Sequence, residues 1–382
     1  MTPPKILSVA PMMERTDRHF RFFIRQISKR TLVYSEMITA VAIVRGQPER
    51  LLELAPNESP VSLQLGGDDP KLMAEAARVG AELGYDEINL NVGCPSERVQ
   101  RGRFGACLMA EPELVAACVA EIRAKVSLPV TVKHRIGIDE RDSYEDMTRF
   151  MDVVASAGTA RFIVHARRAV LGGLDPHENR TIPPLRYELV HRHKRERPER
   201  IVEINGGIRT LAEAVEHARH VDGAMIGRAA YDDPFLFAEA DRDFYGDRSE
   251  PPTRQAVAEA MIPYAEAHTR RGGKLLAVTR GMMGLYTGRR GSRVFRRALA
   301  TGAERDARAI REAVRAVERR FPRELESDRD WSERSEPAGR SDCEAPPRQN
   351  GGLADGDSLR PGAANCVDAP ERATPARARP EP

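Results

Sequence analysis

One cysteine stands where a thiol could act as an acid. Cys94 lies in a Gly-Cys-Pro turn three residues after Asn91, directly beyond a short apolar run. A thiol with a reference pKa of about 8.5 is mostly protonated at neutral pH and can donate a proton. Reduction of a carbon–carbon double bond needs a hydride at one carbon and a proton at the other, so Cys94 is the candidate proton donor. A lone cysteine is more often a small buried apolar side chain, which is our interpretation of Cys107 and Cys118.

Other polar side chains also stand at the C-terminal ends of short apolar runs. Gln64, Lys133 and His165 each follow such a run. An amide, an ammonium and an imidazole are suited to the electron-rich ring and the ribityl or phosphate oxygens of a reduced flavin. Taken alone, the histidine could be a hydrogen-bonded structural residue and the lysine a solvated surface residue, without any role in binding. The prediction of a cofactor site therefore rests on the set.

Two short loops consist mainly of small residues. They are Asn205-Gly206-Gly207 and Gly227-Arg228, each behind a β-branched or apolar run. Their exposed backbone N–H groups can hold a phosphate, and Arg228 adds positive charge. Glycines also simply terminate strands, but two such loops in succession favour a phosphorylated ligand.

Eight short apolar runs precede these loops and must position them. Each run ends in polar or glycine residues, and amphipathic helical patterns lie between them, which is typical of βα units. Eight units fit a closed barrel, in which the C-terminal strand ends meet on one face. We therefore predict an α/β fold with a TIM (β/α)8 barrel over residues 1–238. Strands are predicted at 6–10, 32–36, 61–65, 87–91, 130–134, 162–165, 201–205 and 224–227, and helices at 70–83, 112–126, 144–157 and 211–218.

The rest of the chain has a different character. Residues 239–322 carry helical patterns rich in Arg, Ala and Glu. The last predicted helix has one apolar stripe, formed by Ile310, Val314, Val317 and Phe321. We predict a smaller all-α helical-bundle domain there. Residues 323–382 are rich in Pro, Gly, Ser and charged residues, with too few apolar residues for a core, and are predicted to be a disordered C-terminal tail.

Composition excludes several classes of protein. The 382 residues carry 60 basic and 57 acidic side chains, so the net charge of +3 identifies no partner. Five cysteines without a C-x-x-C pair argue against a disulfide framework and a zinc site. No secretion signal or apolar run of membrane-spanning length is present. We expect a cytoplasmic monomer that binds no metal and no membrane.

One predicted helix carries a basic face. Arg293, Arg296 and Arg297 lie at i, i+3 and i+4, so their guanidinium groups share one side. Such a face suits the phosphate backbone of RNA. A solvated helix surface would look the same in the sequence, so this alternative stays open.

The motifs together resemble one family. Asn-Leu-Asn-Val-Gly-Cys-Pro-Ser at 89–96, followed by Gly-Arg-Phe-Gly-Ala-Cys-Leu-Met at 102–109, is similar to the active-site segment of the tRNA-dihydrouridine synthases. The motifs at 10–13, 133–137, 165–167 and 205–208 follow in the family's order, and 178–187 resembles its A subfamily. The resemblance covers about residues 5 to 321 and stops at the tail.

The resemblance implies a reaction and a set of site residues. It implies that NADPH, or NADH, reduces FMN, that the FMN hydroquinone passes a hydride to C6 of a flipped-out uracil, and that Cys94 protonates C5. Asn91 would hold the base, and Arg180, Arg293, Arg296 and Arg297 would contact the tRNA. The targets would be uridines 20 and 20a of the D-loop. The implied FMN-binding residues are Pro11, Met12, Met13, Gln64, Lys133, His165, Asn205, Gly206, Gly207, Gly227 and Arg228.

Two alternatives remain at this point. One is an FMN barrel that acts on a small molecule, such as a dihydroorotate dehydrogenase, against which the arginine face argues. The other is an RNA-binding barrel without catalysis. The presence of Cys94, Lys133 and His165 argues against that second alternative.

Overall fold

The structure is a computed structural model that describes residues 5–302 and 306–322. The tail that the sequence predicts to be disordered, residues 323–382, lies outside the described residues, and so do Trp331, Cys343 and Cys366. All of the described residues belong to one compact unit.

Nine parallel strands form a closed barrel. The sheet runs in the order β1-β9-β8-β7-β6-β5-β4-β2, and the short β3 pairs with β4. The barrel closes where the Val9 N–H donates to the Leu32 carbonyl at 2.9 Å and the Leu32 N–H donates to the Leu7 carbonyl at 3.0 Å. The TIM-barrel prediction is confirmed, and only β3 was not expected. The strands are β1 Ile6–Val9, β2 Val33–Tyr34, β3 Ile38–Thr39, β4 Val61–Gly66, β5 Glu87–Val92, β6 Val130–Arg135, β7 Arg161–His165, β8 Val202–Asn205 and β9 Gly223–Ile226.

Helices cover the barrel and continue beyond it. The four helices predicted over the barrel end within one residue of the expected positions. The α-helices in the described residues are α1 Arg18–Ile27, α2 Ala40–Arg45, α3 Pro48–Leu51, α4 Pro70–Glu82, α5 Glu97–Arg101, α6 Pro112–Lys125, α7 Tyr144–Ser156, α8 Tyr187–Glu196, α9 Leu211–His217, α10 Arg228–Asp232, α11 Ala240–Asp243, α12 Arg254–Arg270, α13 Leu275–Thr279, α14 Ser292–Gly302 and α15 Arg308–Arg320. Short 3-10 helices lie at Gly105–Ala110, Glu178–Arg180, Pro234–Phe237 and Gly281–Gly284.

Alternation along the strands separates an apolar outside from a polar interior. On β5, Ile88 is fully buried and lies close to α4, whereas Asn89 bonds to side chains of the neighbouring strands inside the barrel. Successive strand residues point to opposite sides, so this pattern follows directly from the period of two. The interior can therefore carry polar groups only if they satisfy one another.

A cluster of charges fills the lower interior of the barrel. Arg161 pairs with Glu87 at 2.8 Å and with Glu203 at 3.0 Å. Burial alone would lower the pKa of Arg161, but Glu87, Tyr34 and Glu203 raise it instead, so the guanidinium stays charged. Charges that are buried this deeply need paired partners, because each one is costly to remove from water.

The helical segment packs on the first barrel helix. Tyr264 of α12 stacks on Phe22 of α1 with ring centroids 4.1 Å apart, and its hydroxyl lies 2.7 Å from His19 Nδ1. In α15, the stripe residues Ile310 and Val314 are buried, as the spacing predicts. In the described ranges, no helix is both long and apolar enough to span a membrane.

Candidate active site

Strand register brings the predicted polar residues to one mouth. Asn91 is aligned with Lys133, and His165 with Asn205, on adjacent strands. Gln64 joins this group because its Oε1 accepts a hydrogen bond of 2.9 Å from Asn91 Nδ2. The five side chains therefore lie at the C-terminal end of the barrel, where barrel enzymes place their active sites.

Cys94 is held at this mouth by its own loop. Its N–H and that of Gly93 donate to Asn91 Oδ1 at 3.0 and 3.1 Å. The Cys94 thiol is partly buried and lies 3.5 Å from Ser96 Oγ. It also lies within electrostatic range of Lys133. Cys94 and the predicted cofactor residues thus share one site.

Lys133 and His165 lie at this mouth, and burial shifts the pKa of each side chain. Burial, with a contribution from Arg135, lowers the pKa of Lys133 to about 8, while Glu203 and Cys94 oppose that shift. Burial, with several nearby cations, lowers the pKa of His165 well below its usual value, so the ring is neutral at neutral pH. Within residues 5–302 and 306–322, neither side chain has a hydrogen-bond or ion-pair partner. An unpaired cation beside a neutral imidazole, which offers one donor and one acceptor, fits the polar oxygens and nitrogens of a flavin.

The glycine loop after β8 has no room for side chains. Gly206 and Gly207 have φ angles of +113° and +73°. A Cβ at Gly206 would lie 2.6 Å from His165 Cδ2, and a Cβ at Gly207 would lie 2.6 Å from Leu185 Cδ1. Only glycine meets both requirements, and the bare backbone can approach a ligand closely. Asn205 anchors this loop by donating from Nδ2 to the Met225 carbonyl at 2.8 Å.

The neighbouring loops complete this side of the mouth. Gly227 follows β9, and a Cβ there would lie 3.8 Å from the Cβ of Ala10, which follows β1 and leads into Pro11, Met12 and Met13. Met13 is 57% exposed, and Arg228 is exposed as well. These residues fit a phosphorylated cofactor, although their binding role remains a prediction.

Positive charge surrounds the opening. Arg180 is exposed and lies within electrostatic range of Cys94, Arg228 and Arg15. Arg135 is buried and donates to the carbonyls of Gly93, Arg168 and Asn179 at 2.9, 3.0 and 2.9 Å, so it fastens two loops of the mouth together. We assigned Arg135 no role from the sequence. Its position two residues after Lys133 on β6 is the signal that places it at the same end of the barrel.

The predicted basic face lines a groove between two helices. Arg293, Arg296 and Arg297 are exposed on α14. Arg319 and Arg320 of α15 line the same groove, which has a volume of about 870 Å³. These two arginines were missed from the sequence, because α15 was interpreted through its apolar stripe alone.

One protein-family model matches most of the chain. The model of the dihydrouridine synthase (Dus) family matches residues 8–321, most of the chain. The matched range contains all of the strands except the first two residues of β1, together with the mouth and the arginine groove described above. It ends at Phe321, one residue after the end of α15.

Several relatives share one name. The tRNA-dihydrouridine(20/20a) synthase of Synechocystis sp. is 57% identical over 294 residues, covering 77% of this chain and 88% of that protein. The enzyme of the same name from Shewanella oneidensis is 51% identical over 306 residues, covering 80% and 91%. The one from Vibrio vulnificus is 48% identical over 327 residues, covering 85% and 100%.

Proposed function

The chain belongs to the dihydrouridine synthase family, and from this we propose that it reduces uridines 20 and 20a in the D-loop of tRNA to 5,6-dihydrouridine. The observation that carries the proposal is the position of Cys94 at one mouth with Lys133 and His165, neither of which has a partner among the residues that the structure describes. A proton donor and a binding site for an electron-rich ring are what reduction of a uracil double bond requires.

The mouth is proposed to bind FMN. When bound and reduced by NADPH, FMN supplies hydride chemistry at C6 of the uracil. Lys133, His165 and Gln64 would hold its polar ring edge, where the ammonium of Lys133 would stabilise negative charge. The glycine loop at 205–207 and Gly227 with Arg228 receive the phosphate through backbone N–H groups and one guanidinium. Pro11, Met12 and Met13 complete the FMN site.

The proton is proposed to come from Cys94, which delivers it to C5. Asn91 binds the uracil through the second hydrogen of Nδ2, because its first hydrogen bonds Gln64 and its Oδ1 accepts from the Cys94 loop. Lys133 on the adjacent strand β6 and His165 on the next strand β7 assist. The uracil must leave its stack to reach this position, since a stacked base cannot present its ring face to a buried site.

The tRNA is proposed to contact two basic regions. Arg180 binds phosphate beside the mouth, where like charges are concentrated and no ion pair consumes its guanidinium within the described chain. The arginine groove of α14 and α15, with Arg293, Arg296 and Arg297, binds backbone phosphates of the same tRNA. We therefore assign catalysis to the barrel, residues 1–238, and assign residues 239–322 to tRNA binding, with Arg180 as a further tRNA contact on the barrel.

Mapping of dihydrouridine in tRNA tests this proposal. A strain that lacks the gene is complemented with the wild-type chain or with Cys94→Ala, and dihydrouridine is measured at each D-loop position. Restoration at 20 and 20a by the wild type alone is expected. Unchanged dihydrouridine at those positions in the deletion strain would remove the tRNA assignment. A purified protein without flavin absorption would remove the FMN assignment.

A further inference from the structure

Four hydrogen bonds connect the floor of the mouth to the interior of the barrel. Asn91 Nδ2 donates to Gln64 Oε1 at 2.9 Å, and Gln64 Nε2 donates to Asn89 Oδ1 at 2.8 Å. Asn89 Nδ2 then donates to Thr131 Oγ1 at 2.9 Å. Thr131 Oγ1 donates to Glu87 Oε1 at 2.8 Å. We call these five side chains the amide chain.

The lower end of the amide chain fixes its direction. The Thr131 hydroxyl has one hydrogen, and its two candidate acceptors, Glu87 Oε1 at 2.8 Å and the Ile88 carbonyl at 3.4 Å, can only accept. Thr131 must therefore accept the bond that joins it to Asn89. Glu87 is itself held by Arg161 at 2.8 Å, so the acceptor does not move.

This direction is passed upward from one amide to the next. Because Asn89 turns its NH₂ group to Thr131, its oxygen faces Gln64, and Gln64 in turn must present its oxygen to Asn91. Asn91 therefore directs its own oxygen at the N–H groups of Gly93 and Cys94, which donate to it at 3.1 and 3.0 Å. A reversed Asn91 would place its NH₂ group against two N–H donors.

We propose that Thr131 and Asn89 are positioning residues for Cys94, because the amide chain that they begin fixes the orientation of Asn91 and so the loop that presents the thiol. The inference rests on the proposed function for the thiol's task, the delivery of a proton. Asn89 and Thr131 are fully buried, whereas Cys94 is partly exposed at the mouth. Neither of the two positioning residues reaches the reacting atoms.

The barrel provides a matched control for this proposal. Ser62 is as fully buried as Thr131, and its hydroxyl donates to the same atom, Glu87 Oε1, at 3.0 Å. Ser62 has no bond to the amides. Thr131→Val and Ser62→Ala each remove one hydroxyl from Glu87 at nearly constant volume, but only Thr131→Val breaks the amide chain. Thr131→Ser retains the hydroxyl and serves as the rescue variant.

Two measurements on the FMN-loaded proteins test the positioning. The first is the single-turnover rate at which the reduced enzyme is reoxidised by tRNA. For Thr131→Val this rate is expected to fall by about tenfold to a hundredfold, the usual effect of a small misplacement of a reacting group, with the KM for tRNA little changed. The second is alkylation of Cys94 by iodoacetamide without tRNA, followed by peptide mass spectrometry over a range of pH. The loosened loop is expected to react several-fold faster.

The outcomes separate positioning from mere stability. Normal behaviour of Ser62→Ala and Thr131→Ser, with both effects in Thr131→Val, supports the proposal. Equal losses in Thr131→Val and Ser62→Ala would overturn it, since damage to the Glu87 cluster would then explain both variants. Wild-type rates in Thr131→Val would overturn it as well.

The alkylation measurement also separates this inference from the proposed function. It needs no tRNA, so it reports the Cys94 loop even if the wild-type protein fails to reduce uridine. Failure of the wild type on tRNA would contradict the proposed function alone. An unchanged alkylation profile in Thr131→Val would contradict the positioning role alone.

Discussion

Gly206 lies directly against the ring of His165: a Cβ at position 206 would come within 2.6 Å of His165 Cδ2. The same glycine has a φ of +113°, which L side chains rarely adopt. The loop after β8 and the imidazole that ends β7 therefore fit together only because position 206 has no side chain.

Gly206→Ala is expected to weaken FMN binding by at least about tenfold and to lower the free energy of unfolding by on the order of 1–3 kcal/mol, because the new methyl displaces His165 and strains the backbone. Flavin titration and urea unfolding measure the two effects. Gly172→Ala is the control, since no atom of the described part of the chain lies within 4 Å of its Cβ position and its φ is not in the left-handed region. Equal flavin affinity in both variants would show that the loop at 206 does not contact the cofactor.

Cys94→Ala is expected to retain the flavin absorption and to lose turnover on tRNA by about 10²–10⁴-fold, the usual contribution of a general acid. Cys107→Ala is the matched control, because that thiol is also partly buried but donates to the carbonyl of Phe104, at 3.2 Å, which is not one of the mouth residues. Loss of flavin from Cys94→Ala would mean that the thiol supports the cofactor and not the proton transfer.

Lys133→Met is expected to stabilise the FMN-free protein at pH 7 by on the order of 2 kcal/mol, because it removes a buried cation that has no partner in the described chain. Burial lowers the pKa of Lys133 from 10.5 to about 8. Between these values the unfolded chain binds more protons than the folded one, so wild-type stability rises with pH. The gain from Lys133→Met should therefore be largest below pH 8 and disappear near pH 10.5.

Urea unfolding at several pH values measures this difference, and Lys71→Met is the control, because Lys71 is exposed on α4. A gain that is independent of pH would contradict the assigned protonation of Lys133. The same variant should bind FMN more weakly, because the cofactor loses a cation at its polar edge.

Charge reversal of Arg293, Arg296 and Arg297 to Glu is expected to weaken tRNA binding, because the groove of α14 and α15 loses its positive face. In a plot of the logarithm of the binding constant against that of salt concentration, the slope should fall by about 0.7–0.9 for each phosphate that the protein no longer neutralises. NADPH oxidation by oxygen, which needs only the barrel mouth, should stay at the wild-type rate.

A control triple variant carries the same change of charge elsewhere. Arg149, Arg195 and Arg219 are exposed on the barrel side of the chain, so their conversion to Glu alters net charge without touching the groove. Similar losses of tRNA affinity in both triple variants would mean that only the overall charge matters. Damage to NADPH oxidation in the groove variant would mean that α14 has a structural role.

Much of the fold follows from local patterns. The strand and helix positions over the barrel are visible in the sequence because they depend on the period of apolar residues and on nearby glycine and proline. The candidate site is visible for the same reason: once the strands are placed, Gln64, Lys133, His165 and Asn205 must meet at one end.

The partners of these side chains are decided by the tertiary structure. The sequence leads us to expect Asn91 as a ligand for the base, whereas the fold shows that it also holds the Cys94 loop and is held by Gln64. The fold likewise brings Arg319 of α15 into the groove lined by the predicted arginine face of α14. It also pairs Arg161 with Glu87 inside the barrel. Apart from the Cys94 loop, which follows Asn91 directly, these partners lie tens of residues apart in the chain. Strand register and helix packing therefore determine them, and no local period records them.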